Sequence, residues 1–498
     1  MTDALRLARQ YCLFVCLASA SAAATPADLP ATVAEALERA QVAPQGSALV
    51  VVPLDGGPLQ LTHNADVPMN PASTMKLLTT YVALQTLGPN YRWHTQLLAS
   101  RRPAAGRIDG DLIVRGSGDP SLVIERWWLL LERLRALGVR EIQGDLVLDR
   151  SAYAQVPPAG PTIDGNDLRP YNVAPDALLI NFKTLSLDFV PDRAVGLARI
   201  IATPQLDGVR VPAHVPLANG PCTDWKEQLQ ADFSEPRAVR FGGRFALACG
   251  NKTWHVSLLS PDQYALATFR SLWKASGGTL HGGVREGLAG PDAIELVENV
   301  SPPLSEVIRD INKNSNNVMA RQLFLTLGAQ SAASPSLAPD DPLDDSTDGA
   351  GPMPAAEANL EPAGAMRSAR VIRSWLDQQG LRMPELVLQN GSGLSRQERI
   401  SAASLAQLLV HAWSSNQMPN FLASLPLAGV DGTMKKRPAA SGAAYVKTGY
   451  LSDVRALAGY VFAASGHHYV VVALINDAHA QAAQAALDEL LDWVWRQG

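Results

Sequence analysis

Cysteine is scarce: the 498 residues hold four. Cys12 and Cys16 fall in the first apolar stretch, which leaves Cys222 and Cys249 for the rest of the chain. Positive charge is not in excess either. Lys and Arg number 42 against 47 Asp and Glu, for a formal net charge of −5, which does not resemble the clustered basic charge of a nucleic-acid binder; an anionic polymer would need a local patch that the totals hide. Beyond the N-terminus no run reaches the ~18 apolar residues that a membrane span needs. The nine His show no metal-ligand spacing, and the adjacent pair His467-His468, read as strand residues, is expected to point to opposite faces. No Gly-x-Ser-x-Gly elbow occurs, so a His-based hydrolase is unsupported. The residues call for no metal and no cofactor.

What is present begins with an export leader over residues 1–24. Arg6 and Arg9 precede an apolar stretch from Tyr11 to Ala20, and small residues follow, with Ala22 and Ala24 both acceptable before a cleavage site. In an exported protein the remaining even pair, Cys222 and Cys249, points to a disulfide. The expected compartment is the periplasm.

Hydrophobic periodicity then suggests organisation. Val33, Leu37 and Ala40 share one face of a short helix, and Ser47 to Leu54 is a β-branched strand turned by Asp55-Gly56-Gly57. Thr74 to Leu87 is apolar all round, which marks a buried helix. From residue 91 to 289 short strands alternate with turns around one helix at Val123 to Leu137. Helical texture returns over Pro303 to Leu327. The chain ends in strands at Ala444 to Leu451, Ala456 to Ala463 and Tyr469 to Ile475, then a helix over Gln481 to Trp495. Helices and strands at both ends predict one α/β (α+β) domain built from residues 25–90 and 290–498, with 91–289 as a mixed α/β insertion. Residues 329–365 carry seven acidic and no basic groups, with too little apolar area to order the segment, so a solvated loop is expected.

Three short motifs carry chemistry. Ser73-Thr74-Met75-Lys76 opens the buried helix, and residues three apart share a helix face, so the Lys amine reaches the Ser hydroxyl. A desolvated Lys can be the neutral amine that takes the hydroxyl proton. Ser271-Leu272-Trp273-Lys274 matches the same pattern but lies mid-helix, a structural copy. Ser315-Asn316-Asn317 interrupts the helical region, and its hydroxyl and amide can share a proton relay and a substrate hydrogen bond; Ser414-Ser415-Asn416 shows how common that tripeptide pattern is. Lys447-Thr448-Gly449 sits in a strand, where Lys and Thr can grip a carboxylate and Gly admits a close backbone approach.

In that order the three motifs match penicillin-recognising serine enzymes. The chain resembles the D-alanyl-D-alanine carboxypeptidase/endopeptidase family, the low-molecular-mass class C penicillin-binding proteins of peptidase family S13. The roughly 240 residues between Lys76 and Ser315 match that family's large insertion. Also similar are Arg115-Gly116-Ser117-Gly118-Asp119-Pro120, Asn390-Gly391-Ser392-Gly393-Leu394-Ser395-Arg396, and Leu425 to Gly429 with Asp431-Gly432-Thr433. The resemblance implies a transpeptidase-like, serine β-lactamase-like fold acting on peptidoglycan stem peptides, with β-lactams as covalent inhibitors. It implies Ser73 as nucleophile, Lys76 as base and Ser315 as proton relay. Asn317 would meet the substrate amide, while Lys447 and Thr448 hold the terminal carboxylate beside Gly449. Asn390 stands where the family has Asp.

Two other functions compete. A β-lactamase shares the three motifs, but the insertion is large and no Glu-x-x-x-Asn pattern lies between Asn317 and Lys447. An inactive peptidoglycan-binding protein would need no base at Lys76.

Overall fold

The computed structural model describes residues 29–153, 163–330 and 364–498. The leader over residues 1–24 and nearly all of the acidic stretch 329–365 lie outside the described residues.

A five-stranded antiparallel sheet joins the two ends of the chain. Its order is Ala444–Leu451, Val454–Phe462, His468–Asn476, Ser47–Pro53 and Leu61–His63. Strand alternation sorts its residues between two cores. Leu49, Val51, Val471 and Ala473 face the terminal helices Ala31–Arg39 and Gln484–Gln497, whose Val33, Leu37, Leu487 and Leu491 complete one layer. Val50, Val470, Val472 and Leu474 face the other way, into a core with Leu77, Leu78, Leu405 and Leu409. The register pairs Val50 with Val472, so each core receives β-branched residues from adjacent strands. Burying one such side chain contributes about 1.5–3 kcal/mol.

Helix Met75–Leu87 runs through that second core. Every residue from Met75 to Leu84 is buried, as its all-round apolar pattern requires. The helical region after Pro303 divides into Leu304–Asn314 and Asn317–Gln330.

Between the two halves stand two further five-stranded sheets. In one, His94–Ala99 pairs with Ile294–Val300, so the strands by which the chain leaves and rejoins the first sheet's region are neighbours. Helices Ile124–Ala136 and Pro261–Ala275 cover it through Trp127, Leu130, Phe269 and Trp273. Ser271 and Lys274 lie inside the second of these helices, away from any strand-to-helix junction. The other sheet is built on Leu185–Asp192, Leu197–Thr203 and Lys252–Val256, and Cys222 and Cys249 form a disulfide beside it.

The histidine pair departs from expectation. Only His468 is a strand residue; His467 belongs to the preceding turn. Both rings therefore converge on Asp55, with Nδ1 to carboxylate distances of 3.1 Å for His467 and 2.6 Å for His468. No group of three or more His, Cys, Asp or Glu able to hold a metal occurs among the described residues.

Candidate active site

Ser73 sits in a single 3-10 turn, Ala72–Thr74, that feeds directly into helix Met75–Leu87. Ala72 holds a left-handed φ of 44°, and the Asn70 side-chain oxygen accepts its amide at 2.9 Å. The turn is thus fixed before the helix begins. Ser73 is half-buried and Lys76, one turn on, is 0% exposed.

Lys76 Nζ lies 2.9 Å from Ser73 Oγ, 2.6 Å from Asn317 Oδ1 and 2.5 Å from the Ser392 carbonyl. A neutral amine has two N–H bonds and one lone pair. The two carbonyl oxygens can take the N–H bonds, which leaves the lone pair for the Ser73 hydroxyl proton. Burial drives the Lys76 pKa well below the ordinary lysine value, and the nearby Lys447 charge adds to the fall. The geometry and the protonation state point the same way.

The break after Asn314 has a local cause. Ser315 adopts a left-handed conformation, φ 55° and ψ 40°, and caps helix Leu304–Asn314. The Asn316 side chain accepts the Met319 amide at 3.1 Å, which starts the next helix. The kink turns Ser315 toward strand Ala444–Leu451, where Lys447 Nζ donates to Ser315 Oγ at 2.9 Å. Lys447 is also 0% exposed, and burial lowers its pKa to about 7. Thr448 Oγ1 lies 2.9 Å from Thr433 Oγ1.

Gly449 was expected to admit a substrate backbone. Its nearest neighbours belong to the chain itself: a Cβ there would stand 2.7 Å from the Pro71 carbonyl oxygen and 3.1 Å from Ala72 Cβ. The missing side chain lets the strand press against the turn that carries Ser73. Gly393, with φ +78°, also packs against this turn, since its Cβ would overlap the Ala72 carbonyl.

The structure therefore brings six of the predicted residues into two hydrogen-bonded groups. Ser73, Lys76 and Asn317 form one; Ser315 with Lys447 and its neighbour Thr448 forms the other. Gly449 lies on strand Ala444–Leu451 against the turn that carries Ser73, whereas Cys222 and Cys249 lie apart, beside the sheet built on Leu185–Asp192. From Ser315 and Asn317 a cleft of about 1300 Å³ opens outward, lined by Arg396 and Tyr450 and by Asp164, Tyr171 and Trp254.

Sequence reasoning missed Thr433, the Ser392 carbonyl, the buried Glu398 and the partly buried Arg321. Asp431-Gly432-Thr433 stood out only as a similar stretch. A main-chain acceptor leaves no trace in residue type, and an isolated Glu or Arg reads as surface until its burial is known. Asn390 carries no charge, and its amide ties the loop locally: Oδ1 accepts from Ser392 N at 2.9 Å and Ser392 Oγ at 2.7 Å, while Nδ2 donates to the Leu394 carbonyl.

Comparison with known proteins agrees with this architecture. The model of the D-Ala-D-Ala carboxypeptidase 3 (S13) family matches residues 29–341 and 354–494. A D-alanyl-D-alanine carboxypeptidase DacB from Haemophilus influenzae is 26% identical over 422 residues, covering 83% of this chain and 82% of the relative. A D-alanyl-D-alanine carboxypeptidase from an Actinomadura species is 27% identical over 469 residues, 89% of this chain and 80% of the relative. The crystal structure of penicillin-binding protein 4 from Haemophilus influenzae superposes with a TM-score of 0.73 at 23% identity, covering 93% and 99% of the two chains. That likeness establishes a penicillin-binding fold.

Proposed function

The chain belongs to the D-Ala-D-Ala carboxypeptidase 3 (S13) family, and from that premise we propose that it is a serine-type D-Ala-D-Ala carboxypeptidase and D,D-endopeptidase of exported peptidoglycan chemistry. The observation that carries the proposal is Lys76, buried and 2.9 Å from Ser73 Oγ, with both remaining neighbours able only to accept.

In this reading Lys76 takes the Ser73 hydroxyl proton while Oγ bonds to the carbonyl carbon of the penultimate D-Ala. The Ser73 amide is one donor to the oxyanion, a contribution of about 3–4 kcal/mol for such a donor. Ser315 relays to the leaving amine the proton that Lys76 took up, which leaves Lys76 neutral again; the C–N bond breaks, and D-Ala or the cross-linked residue departs. Lys447 and Thr448 hold the terminal carboxylate, and Asn317 meets the acyl-side amide. Water then attacks the ester and gives its proton to Lys76, which returns it to Ser73 Oγ as the ester C–O bond breaks. A β-lactam enters by the same first step, but its amine stays tethered within the acyl group.

Residues 25–90 and 290–498 would form the catalytic domain, with 91–289 inserted. Cell-wall substrate lies outside the inner membrane, which agrees with the leader and with a periplasmic site of action. Among the described residues no helix is long and apolar enough to cross a membrane.

Intact-protein mass spectrometry of the mature chain with benzylpenicillin tests the reading. One drug mass is expected on the native protein and none on Ser73→Ala. Lys76→Met should slow acylation about 10²–10⁴-fold, the usual worth of a general base. No adduct and no hydrolysis of the drug would leave a binding protein; rapid hydrolysis without an adduct would make it a β-lactamase.

A further inference from the structure

A further buried acidic residue acts on Lys76. Glu398 is 0% exposed, and its Oε1 accepts the amides of Gln389 at 3.2 Å, Asn390 at 2.9 Å and Gly391 at 2.8 Å. Its Oε2 is equally buried and has no hydrogen-bond partner among the described residues. On helix Asn317–Gln330, Arg321 likewise has a buried Nε with no hydrogen-bond partner among the described residues. Groups in this state are costly unless opposite charges compensate through space.

The loop that Glu398 pins is the loop that holds the base. Its three amides end one residue before Ser392, whose carbonyl accepts Lys76 Nζ at 2.5 Å. The Gly391 carbonyl accepts Thr79 Oγ1 at 2.7 Å, from the same helix as Lys76. Asn390, where a carboxylate would be expected by family resemblance, is neutral and locally satisfied. The carboxylate absent there is supplied eight residues later, from beneath the loop.

We propose that Glu398 is a positioning residue for the reaction: it fixes the Ser392 carbonyl against Lys76 and supplies the negative charge that balances the protonated form of the base. The proposal rests on the reading of Lys76 as the general base.

The charges facing Lys76 set the direction of the test. Desolvation is the largest influence and lowers its pKa. Lys447 on strand Ala444–Leu451 and Arg321 on helix Asn317–Gln330 lower it further; Glu398 alone raises it. Its remaining neighbours, Ser73, Asn317 and the Ser392 carbonyl, are uncharged. Glu398→Gln keeps an acceptor for the three amides and removes the charge. Lys76 then loses its proton at lower pH, so the acid limb of Ser73 acylation should move down.

The experiment is the rate of benzylpenicillin acylation across pH, followed by intact mass, for the native chain, Glu398→Gln and Arg321→Gln. Glu398→Gln should shift the acid limb down by about one pH unit, the scale of a nearby charge. Arg321→Gln should shift it up. A Glu398→Gln limb coincident with the native one overturns the proposal even if acylation slows, because a mere tether changes the rate and leaves the limb in place. If Glu398→Gln does not fold, Arg321→Gln decides alone, and a limb unmoved or moved down overturns it. An absent native adduct, or a native rate without an acid limb, would instead refute Lys76 as the base.

Discussion

Lys447 and Ser315 meet at 2.9 Å although 132 residues separate them in sequence. The contact joins the strand that would bind a carboxylate to the hydroxyl that would relay a proton. It also leaves Lys447 buried, with hydroxyl and carbonyl oxygens as its partners among the described residues, and burial makes its ammonium easily lost.

The first prediction follows from that burial. Lys447 has a pKa lowered to about 7 by desolvation. The cation is present below that pH and is lost above it, so attraction for a substrate carboxylate weakens as pH rises. KM for a peptide ending in D-Ala-D-Ala should climb above pH 7, approaching tenfold per unit once Lys447 is mostly neutral. The C-terminal amide of the same peptide should show no such climb. Steady-state kinetics from pH 6 to 9 on both peptides make the check, and a flat KM for the acid would remove Lys447 from carboxylate binding.

Gly449→Ala should act at a distance through packing. The new Cβ would stand 2.7 Å from the Pro71 carbonyl oxygen, so the strand must move away from the turn bearing Ser73. A displacement near 1 Å costs on the order of 10²-fold in rate. Benzylpenicillin acylation should fall by at least tenfold while circular dichroism remains native. Unchanged acylation would mean that the strand edge yields without disturbing Ser73.

Removing the disulfide should separate stability from chemistry. Cys222 and Cys249 are 27 residues apart, and opening such a loop costs about 3–4 kcal/mol in the chain-entropy model. The Cys222→Ser/Cys249→Ser variant should melt at lower temperature, with the loss confined to the insertion, and should acylate at the native rate. Slower acylation at a temperature where the variant is folded would couple that sheet to the active site.

Much of the site was legible because its chemistry is local in sequence. A helix places Ser73 and Lys76 on one face whatever surrounds them, and a break between Ile311 and Val318 was visible in the polar run. The terminal sheet could be read too, since a continuous apolar run such as Val470 to Ile475 needs apolar neighbours on both faces. The packing of Gly449 could not be read, because the backbone against it belongs to Pro71, a partner 378 positions away that no local pattern announces.

The sequence by itself determined the reactive groups, their order along the chain and the hydrophobic periods that bury the helix after Ser73. Tertiary structure alone decided which charges those groups would feel. Lys76, Lys447, Arg321 and Glu398 come from four separate elements, and their proton affinities depend on burial and mutual distance, quantities that exist only once the chain has closed around them.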